Sequence, residues 1–289
     1  MLPEFEFLVP QALSEALSLL AANGFAIAPV SGGTNLVVDM RSGRHCPSIL
    51  MDIGRLGELR GIQRENGHLV IGANSTIAEL LTDPLIAQYA PLLKEAASVF
   101  ANPLVRNRAT VGGNLADASP AADTAPPLLA MDAEVGLVSQ QGRRFLPLSE
   151  FLVDVRKTLR QPHELLASIR CPIPPQKSFG AFAKLGLRKA DAIAVVSVAV
   201  MVEADGNGRC RQVHIALGAV APRPIRALAG EKYLQGQMLT PTIISEAAHL
   251  AAEASSPIDD IRGSAAYRRR MVEVFVRRLL ARAADELAK

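Results

Sequence analysis

Tryptophan is absent, and the aromatic residues together make up only 4% of the 289 positions. Proteins that read single-stranded nucleic acid by stacking bases on aromatic platforms are therefore disfavoured. An excess of charge is missing too. Against 28 acidic side chains stand 31 basic ones, and the net +3 is too small for a nucleic-acid or membrane-surface footprint. Cysteine occurs three times, at Cys46, Cys171 and Cys210, with no CxxC pair. Neither a disulfide framework nor a four-cysteine iron–sulfur site can be assembled from them. The longest uncharged apolar run, between Asp191 and Glu203, is about half of the ~20 residues a spanning helix needs, so no membrane span is expected. The opening MLPEFEFLVP is acidic and lacks a basic n-region, so no secretory signal is expected and a reducing cytoplasm is the expected location.

What is present is enough for a large core. Apolar residues reach 49% and charged residues 20%, and the length suits two compact domains. Leu13, Ala16, Leu17 and Leu20 recur at helical spacing and Gly24 offers a C-cap. Phe25–Val30 reads as a strand running into a glycine loop, and Ser48–Ile53 and His68–Ala73 read as further strands. Ser75 is placed to cap a short helix and Pro91 to open another that ends near Phe100. Ala101–Pro127 shows no sustained periodicity and few charges, the pattern of a long functional loop. Ala133–Val138 and Arg143–Leu148 form a hairpin pattern. The proline-rich Cys171–Lys177 stretch is the best linker, dividing the chain into domains at 1–175 and 176–289. Beyond it, Ile193–Glu203 and Gln212–Val220 are strand-like, and Pro241–Ala254 and Ser264–Leu287 are helical.

Two glycine motifs carry the chemical signal. The first is Ser31-Gly32-Gly33-Thr34-Asn35, and the second is Thr110-Val111-Gly112-Gly113-Asn114. Paired glycines let backbone N–H groups approach an anion, and consecutive N–H groups make an anion-binding nest. Two such loops suit a diphosphate. Neither matches a Rossmann or Walker pattern, and an isolated Gly-Gly pair is more often only a turn.

The second motif continues as NLADASPAADTAP. With SGGTNL at Ser31–Leu36, IGANSTIAEL at Ile71–Leu80, AFAKLGLRKADAIA at Ala181–Ala194 and GAVAPRPIRA at Gly218–Ala227, the chain resembles the flavin subunits of the molybdenum hydroxylases. That group includes xanthine dehydrogenase and aerobic carbon monoxide dehydrogenase. The resemblance implies an α+β fold: a PCMH-type (vanillyl-alcohol-oxidase-like) FAD-binding domain of two α+β subdomains, followed by a smaller C-terminal domain of antiparallel sheet plus helices. It implies non-covalent FAD. Its diphosphate would lie against Pro29, Val30, Ser31, Gly32, Gly33, Thr34, Asn35 and Leu36, and against Thr110, Val111, Gly112, Gly113 and Asn114. Phe100 would meet the dinucleotide, Asp123 would accept from FAD hydroxyls, Leu166 would pack on the flavin, and Lys184 would contact it through its charge. No aromatic lies in Leu185–Ala194, so Ile193 would cover the isoalloxazine face.

The implied role is the FAD-carrying electron-transfer subunit of a multi-subunit molybdenum hydroxylase. Electrons would come from [2Fe-2S] clusters on a small subunit, fed by a molybdopterin-binding large subunit, and leave to NAD⁺, quinone or oxygen. A dimer of heterotrimers is implied. Two alternatives stand beside it: a stand-alone flavin oxidase or reductase of the same fold, and a non-catalytic assembly protein. The first would need a base and an aromatic wall near the flavin. None of His45, His68, His163 and His214 lies in the matched motifs, and His249 sits in the helical tail.

Overall fold

The structure is a computed structural model and describes residues 2–288. The chain begins with a parallel sheet in the order β1 (Glu6–Leu8), β3 (Ile49–Asp52), β2 (Ile27–Val30). The helix Leu13–Asn23 buries Ala16, Leu17 and Leu20, as its spacing predicts, and Gly24 ends it with φ 55° and its N–H on the Leu20 carbonyl. The strand expected from Phe25 starts two residues later, because Gly24–Ala26 winds a 3₁₀ turn first. The small core of this layer joins Leu20, Ile27, Met51 and Leu59 to Val138 and Leu165 of the next sheet.

That second sheet is antiparallel, in the order β4 (Ile62–Glu65), β5 (His68–Gly72), β10 (Leu165–Pro172), β6 (Glu134–Ser139), β7 (Gly142–Pro147). A minor hairpin, β8 (Leu152–Asp154) with β9 (Lys157–Thr158), lies between β7 and β10 in sequence. Helices cover the second sheet, and Leu69, Ile71, Val135, Leu137 and Ile169 share one core with Leu80, Leu92, Leu93 and Leu128. The helix Ile77–Thr82 is capped by Thr76 rather than Ser75. Thr76 and Glu79 form a complete capping box, and only Thr76 has a Glu three residues on to answer it.

About half of the stretch expected to be a long loop is helical. Pro103–Arg106, Val111–Ala116 and Ala125–Ala130 are each a turn or so of helix, capped or opened by Asn102, Thr110 and the Pro126–Pro127 pair. Helices this short cannot generate a readable apolar period, so they looked irregular in sequence. The second glycine motif is consequently a helix start, not a loop.

The C-terminal sheet is antiparallel, in the order β11 (Ser178–Leu185), β12 (Val196–Ala204), β13 (Cys210–Gly218), β14 (Ile225–Arg226). Both faces are covered. Val196, Val198, Val200 and Val202 share a core with Ile244, Ala247, Val276 and Leu280 of the helices Pro241–Glu253 and Ala265–Leu287. Ala199 and Met201, pointing the other way, join the core of the preceding subdomain. The strand expected to run to Val220 stops at Gly218, where Ala219 turns to φ 63°. The architecture is α+β: two α+β subdomains, then a smaller domain of antiparallel sheet plus helices. Among the described residues no helix is long and apolar enough to cross a membrane.

Candidate functional site

Pro29 and Val30 end β2 and deliver the chain to Ser31–Asn35, and Leu36 opens the helix Leu36–Arg41. The two glycines of this loop serve different ends. Gly33 holds φ 69°, the left-handed region. Gly32 allows a backbone approach, for a Cβ there would sit 2.0 Å from the Arg108 carbonyl oxygen. The N–H groups of Gly32, Gly33, Thr34 and Asn35 meet no protein acceptor among the described residues. They form an open row of donors at the start of a helix, which is what an anion requires.

The second motif behaves differently, and the nest expected there is not free. Val111 N–H donates to Ser75 O (3.0 Å), Gly112 N–H to Ala73 O (2.9 Å) and Asn114 N–H to Thr110 O (3.0 Å). Gly113 N–H is taken by its own cap, Thr110 Oγ1, at 3.1 Å. Gly112 is required because a Cβ would meet Ala73 Cβ at 2.5 Å and Ala73 O at 2.7 Å. The motif thus locks its helix onto the Ala73–Ser75 segment, beside the first loop. Asn114 Oδ1 accepts from Thr124 Oγ1 (2.6 Å) and Thr124 N (3.2 Å), steadying the chain next to Asp123. Where the motifs meet, a cleft of about 240 Å³ opens, lined by Ser31, Gly32, Arg60, Thr76, Arg108 and Thr110.

Asp123 and Lys184 meet at 2.5 Å, with their side chains only 9% and 4% exposed. Lys184 Nζ also donates to Val99 O at 3.3 Å. The other carboxylate oxygen, Asp123 Oδ1, is buried with no partner among the described residues. Burial pushes the Asp123 carboxyl up to about 6, against the pull of Lys184. An unpartnered buried acceptor is costly unless a ligand donor reaches it. Phe100 and Leu166 are both buried core residues. Ile193 is 62% exposed. Arg188 and Asp191 form an exposed pair at 3.6 Å.

Three polar residues to which the sequence assigns no role, Asp39, Asp117 and Arg156, belong to the same region. Asn35 Nδ2 donates to Asp117 Oδ2 at 2.9 Å. Arg156 bonds both Asp117 and Asp39. No sequence signal joins positions 39, 117 and 156, since each pairing spans dozens of residues. No group of three His, Cys, Asp or Glu side chains able to hold a metal occurs among the described residues. Cys171 and Cys210 are buried, and burial pushes their thiols to about 12 and about 11.

Residues 3–174 match the family described as FAD binding domain in molybdopterin dehydrogenase, and residues 181–283 match the CO dehydrogenase flavoprotein C-terminal domain. The chain is 36% identical to the 6-hydroxypseudooxynicotine dehydrogenase complex subunit alpha of Paenarthrobacter nicotinovorans, over 97% of this chain and 95% of that one. It is 35% identical to the carbon monoxide dehydrogenase medium chain of Hydrogenophaga pseudoflava, over 96% of each. A solved carbon monoxide dehydrogenase from Hydrogenophaga pseudoflava, lacking the Mo-pyranopterin moiety, superimposes with TM-score 0.94 at 34% identity, covering 99% of both chains. Quinoline 2-oxidoreductase from Pseudomonas putida 86 superimposes with TM-score 0.93 at 30% identity over the full length of both. The chain belongs to the FAD-binding subunits of the molybdopterin dehydrogenases, the flavoprotein subunits of the molybdenum hydroxylase oxidoreductases.

Proposed function

We propose that this chain holds FAD non-covalently, takes electrons from the [2Fe-2S] clusters of a small partner subunit and passes them to NAD⁺, quinone or oxygen. The observation that carries this reading is the open row of N–H donors at Gly32–Asn35 beside the cleft, with the unpartnered Asp123 Oδ1 on the adjoining subdomain. These residues fit the group: donors for a diphosphate and an acceptor for its hydroxyls. When bound, FAD supplies the redox centre, while the protein binds, orients and tunes it.

The first loop donates its N–H groups to the diphosphate. The second motif acts mainly as scaffold, with Thr110 at the cleft and its helix N–H groups spent on the protein. Asp123 accepts from a cofactor hydroxyl through Oδ1. Lys184 keeps that carboxylate ionised and oriented, and its charge raises the cofactor's tendency to accept electrons. Ile193 would cover the isoalloxazine face, Phe100 would meet the dinucleotide and Leu166 would pack on the flavin. The change from the second sheet to the third supports domains at 1–175 and 176–289.

Molybdopterin and the [2Fe-2S] clusters reside on partners only, a molybdopterin-binding large subunit and a [2Fe-2S] small subunit, in a cytoplasmic dimer of heterotrimers. Three scattered cysteines support clusters held by a partner, and the names of the relatives as a medium chain and a complex subunit support a multi-subunit assembly. The small subunit docks near exposed Leu104 and Leu187, on segments joined by the Asp191 N–H on the Ala101 carbonyl at 2.9 Å. Expressed with its neighbouring genes, the chain is expected to elute with one molybdenum and one iron–sulfur partner. Elution alone with unaided turnover of an organic substrate would overturn the reading.

A further inference from the structure

Val155 and Arg156 form the two-residue turn between β8 and β9, because Asp154 pairs with Lys157. Arg156 sits there with φ 55°. Such turns favour Gly or Asn, and a longer side chain in the left-handed region persists only where its surroundings hold it. Three contacts hold this one. Arg156 N–H donates to Ala118 O at 2.9 Å. Its Nη1 donates to Asp39 Oδ2 at 2.5 Å and to Asp117 Oδ1 at 3.3 Å.

The two carboxylates come from the two glycine motifs. Asp39 is on the helix that leaves Ser31–Asn35, and Asp117 follows the helix that begins at Thr110. Their side chains are only 8% and 14% exposed. Asp117 uses its other oxygen to accept from Asn35 Nδ2, within the donor row itself. Arg44 covers the far side of Asp39 at 2.8 Å. One guanidinium therefore bridges two largely buried like charges that would otherwise repel across the junction.

We propose that Arg156 is a positioning residue for the cofactor's diphosphate. It never touches the cofactor. By binding Asp39 and Asp117 together it fixes the spacing of the two motifs and, through Asn35, the aim of the N–H row. The inference rests on the reading that Gly32–Asn35 hold the diphosphate.

The test compares FAD release from the purified full chain, followed by the rise in flavin fluorescence on dilution. Arg156→Gln is expected to release FAD about tenfold faster, a change worth about 1.4 kcal/mol. Arg156→Lys, which keeps a cation, is expected to restore most of the retention. The visible spectrum and reduction potential of the bound flavin are expected to stay unchanged, since Lys184, the residue assigned to the ring, bonds Asp123 and Val99 and shares no hydrogen bond with Arg156, Asp39 or Asp117. General loosening would shift both. If Arg156→Gln yields no soluble chain, Asp117→Asn is read by the same criteria. Release within twofold of the parent, or faster release accompanied by a shifted potential, overturns the proposal. Gly33→Val serves as the control: if it also retains FAD, the diphosphate assignment itself has failed. If it loses FAD while Arg156→Gln keeps it, only the clamp has failed.

Discussion

Lys184 reaches across from the first strand of the C-terminal sheet to place its ammonium 2.5 Å from Asp123 Oδ2, 61 positions earlier in the chain. The pair is almost wholly buried, and the second carboxylate oxygen has no donor among the described residues. A buried pair of this kind is weak evidence for stability, because desolvation offsets most of the attraction. Its one-sided hydrogen bonding is better explained as a prepared acceptor. It also makes each residue's role depend on the other, a link that no sequence motif carries.

Lys184→Met is expected to retain FAD and to lower its reduction potential, because a cation that stabilises the anionic reduced flavin is removed. Asp123 should simultaneously become harder to ionise, having lost the charge that opposes its burial. A spectroelectrochemical titration reads the first effect. An unchanged potential would return Lys184 to a purely structural pairing.

The chain should carry a specific pH signature without its cofactor. Burial raises the Asp123 pKa from 3.8 to about 6. Between these values the folded chain holds a proton that the unfolded chain has released. Stability from this group therefore falls as pH rises through the window, by at most on the order of 3 kcal/mol. In urea unfolding at pH 4 and pH 6.5, Asp123→Asn should gain on the parent as pH rises. Parallel curves for the two proteins would refute the shift.

Gly32 and Gly33 should fail in different ways. Gly32→Ala drives a Cβ into the backbone carbonyl of Arg108, which cannot swing aside as a side chain could, and is expected to cost roughly 1–3 kcal/mol of stability along with the flavin. At Gly33 a Cβ has ordinary contacts, at 3.4 and 3.5 Å. Gly33→Ala should cost only about 1–2 kcal/mol through its left-handed backbone, yet Gly33→Val should strip FAD. Thermal melts paired with flavin-to-protein absorbance ratios separate the two.

Trichloroacetic acid should release all the flavin colour, as no histidine lies within the matched motifs. The isolated chain should pass electrons from reduced flavin to an acceptor yet hydroxylate no heterocycle, aldehyde or carbon monoxide. Colour retained in the acid pellet, or hydroxylated product from the chain alone, would contradict these expectations.

The sequence by itself determined the identity of this protein's parts. Ordered motifs such as SGGTNL and TVGGN with a downstream SPAAD are local strings. The Leu13–Leu20 helix is legible because a single apolar face repeats along it, and β2 and β3 because each is a short apolar run, whereas Glu6–Leu8 is too short and too exposed to be read as a strand. The scattering of the three cysteines, Cys46, Cys171 and Cys210, likewise follows from the sequence alone. What only the tertiary structure decided is which backbone groups remain available. Gly112 looked like a phosphate glycine, but its N–H is spent on Ala73 and its missing Cβ makes room for that same residue. Asp123 meeting Lys184, and Arg156 meeting Asp39 and Asp117, are pairings between distant segments that leave no periodic trace. Hydrogen-bond satisfaction is a property of the folded neighbourhood, so it separates the open loop at Gly32–Asn35 from the closed one at Val111–Asn114 only once the chain has folded.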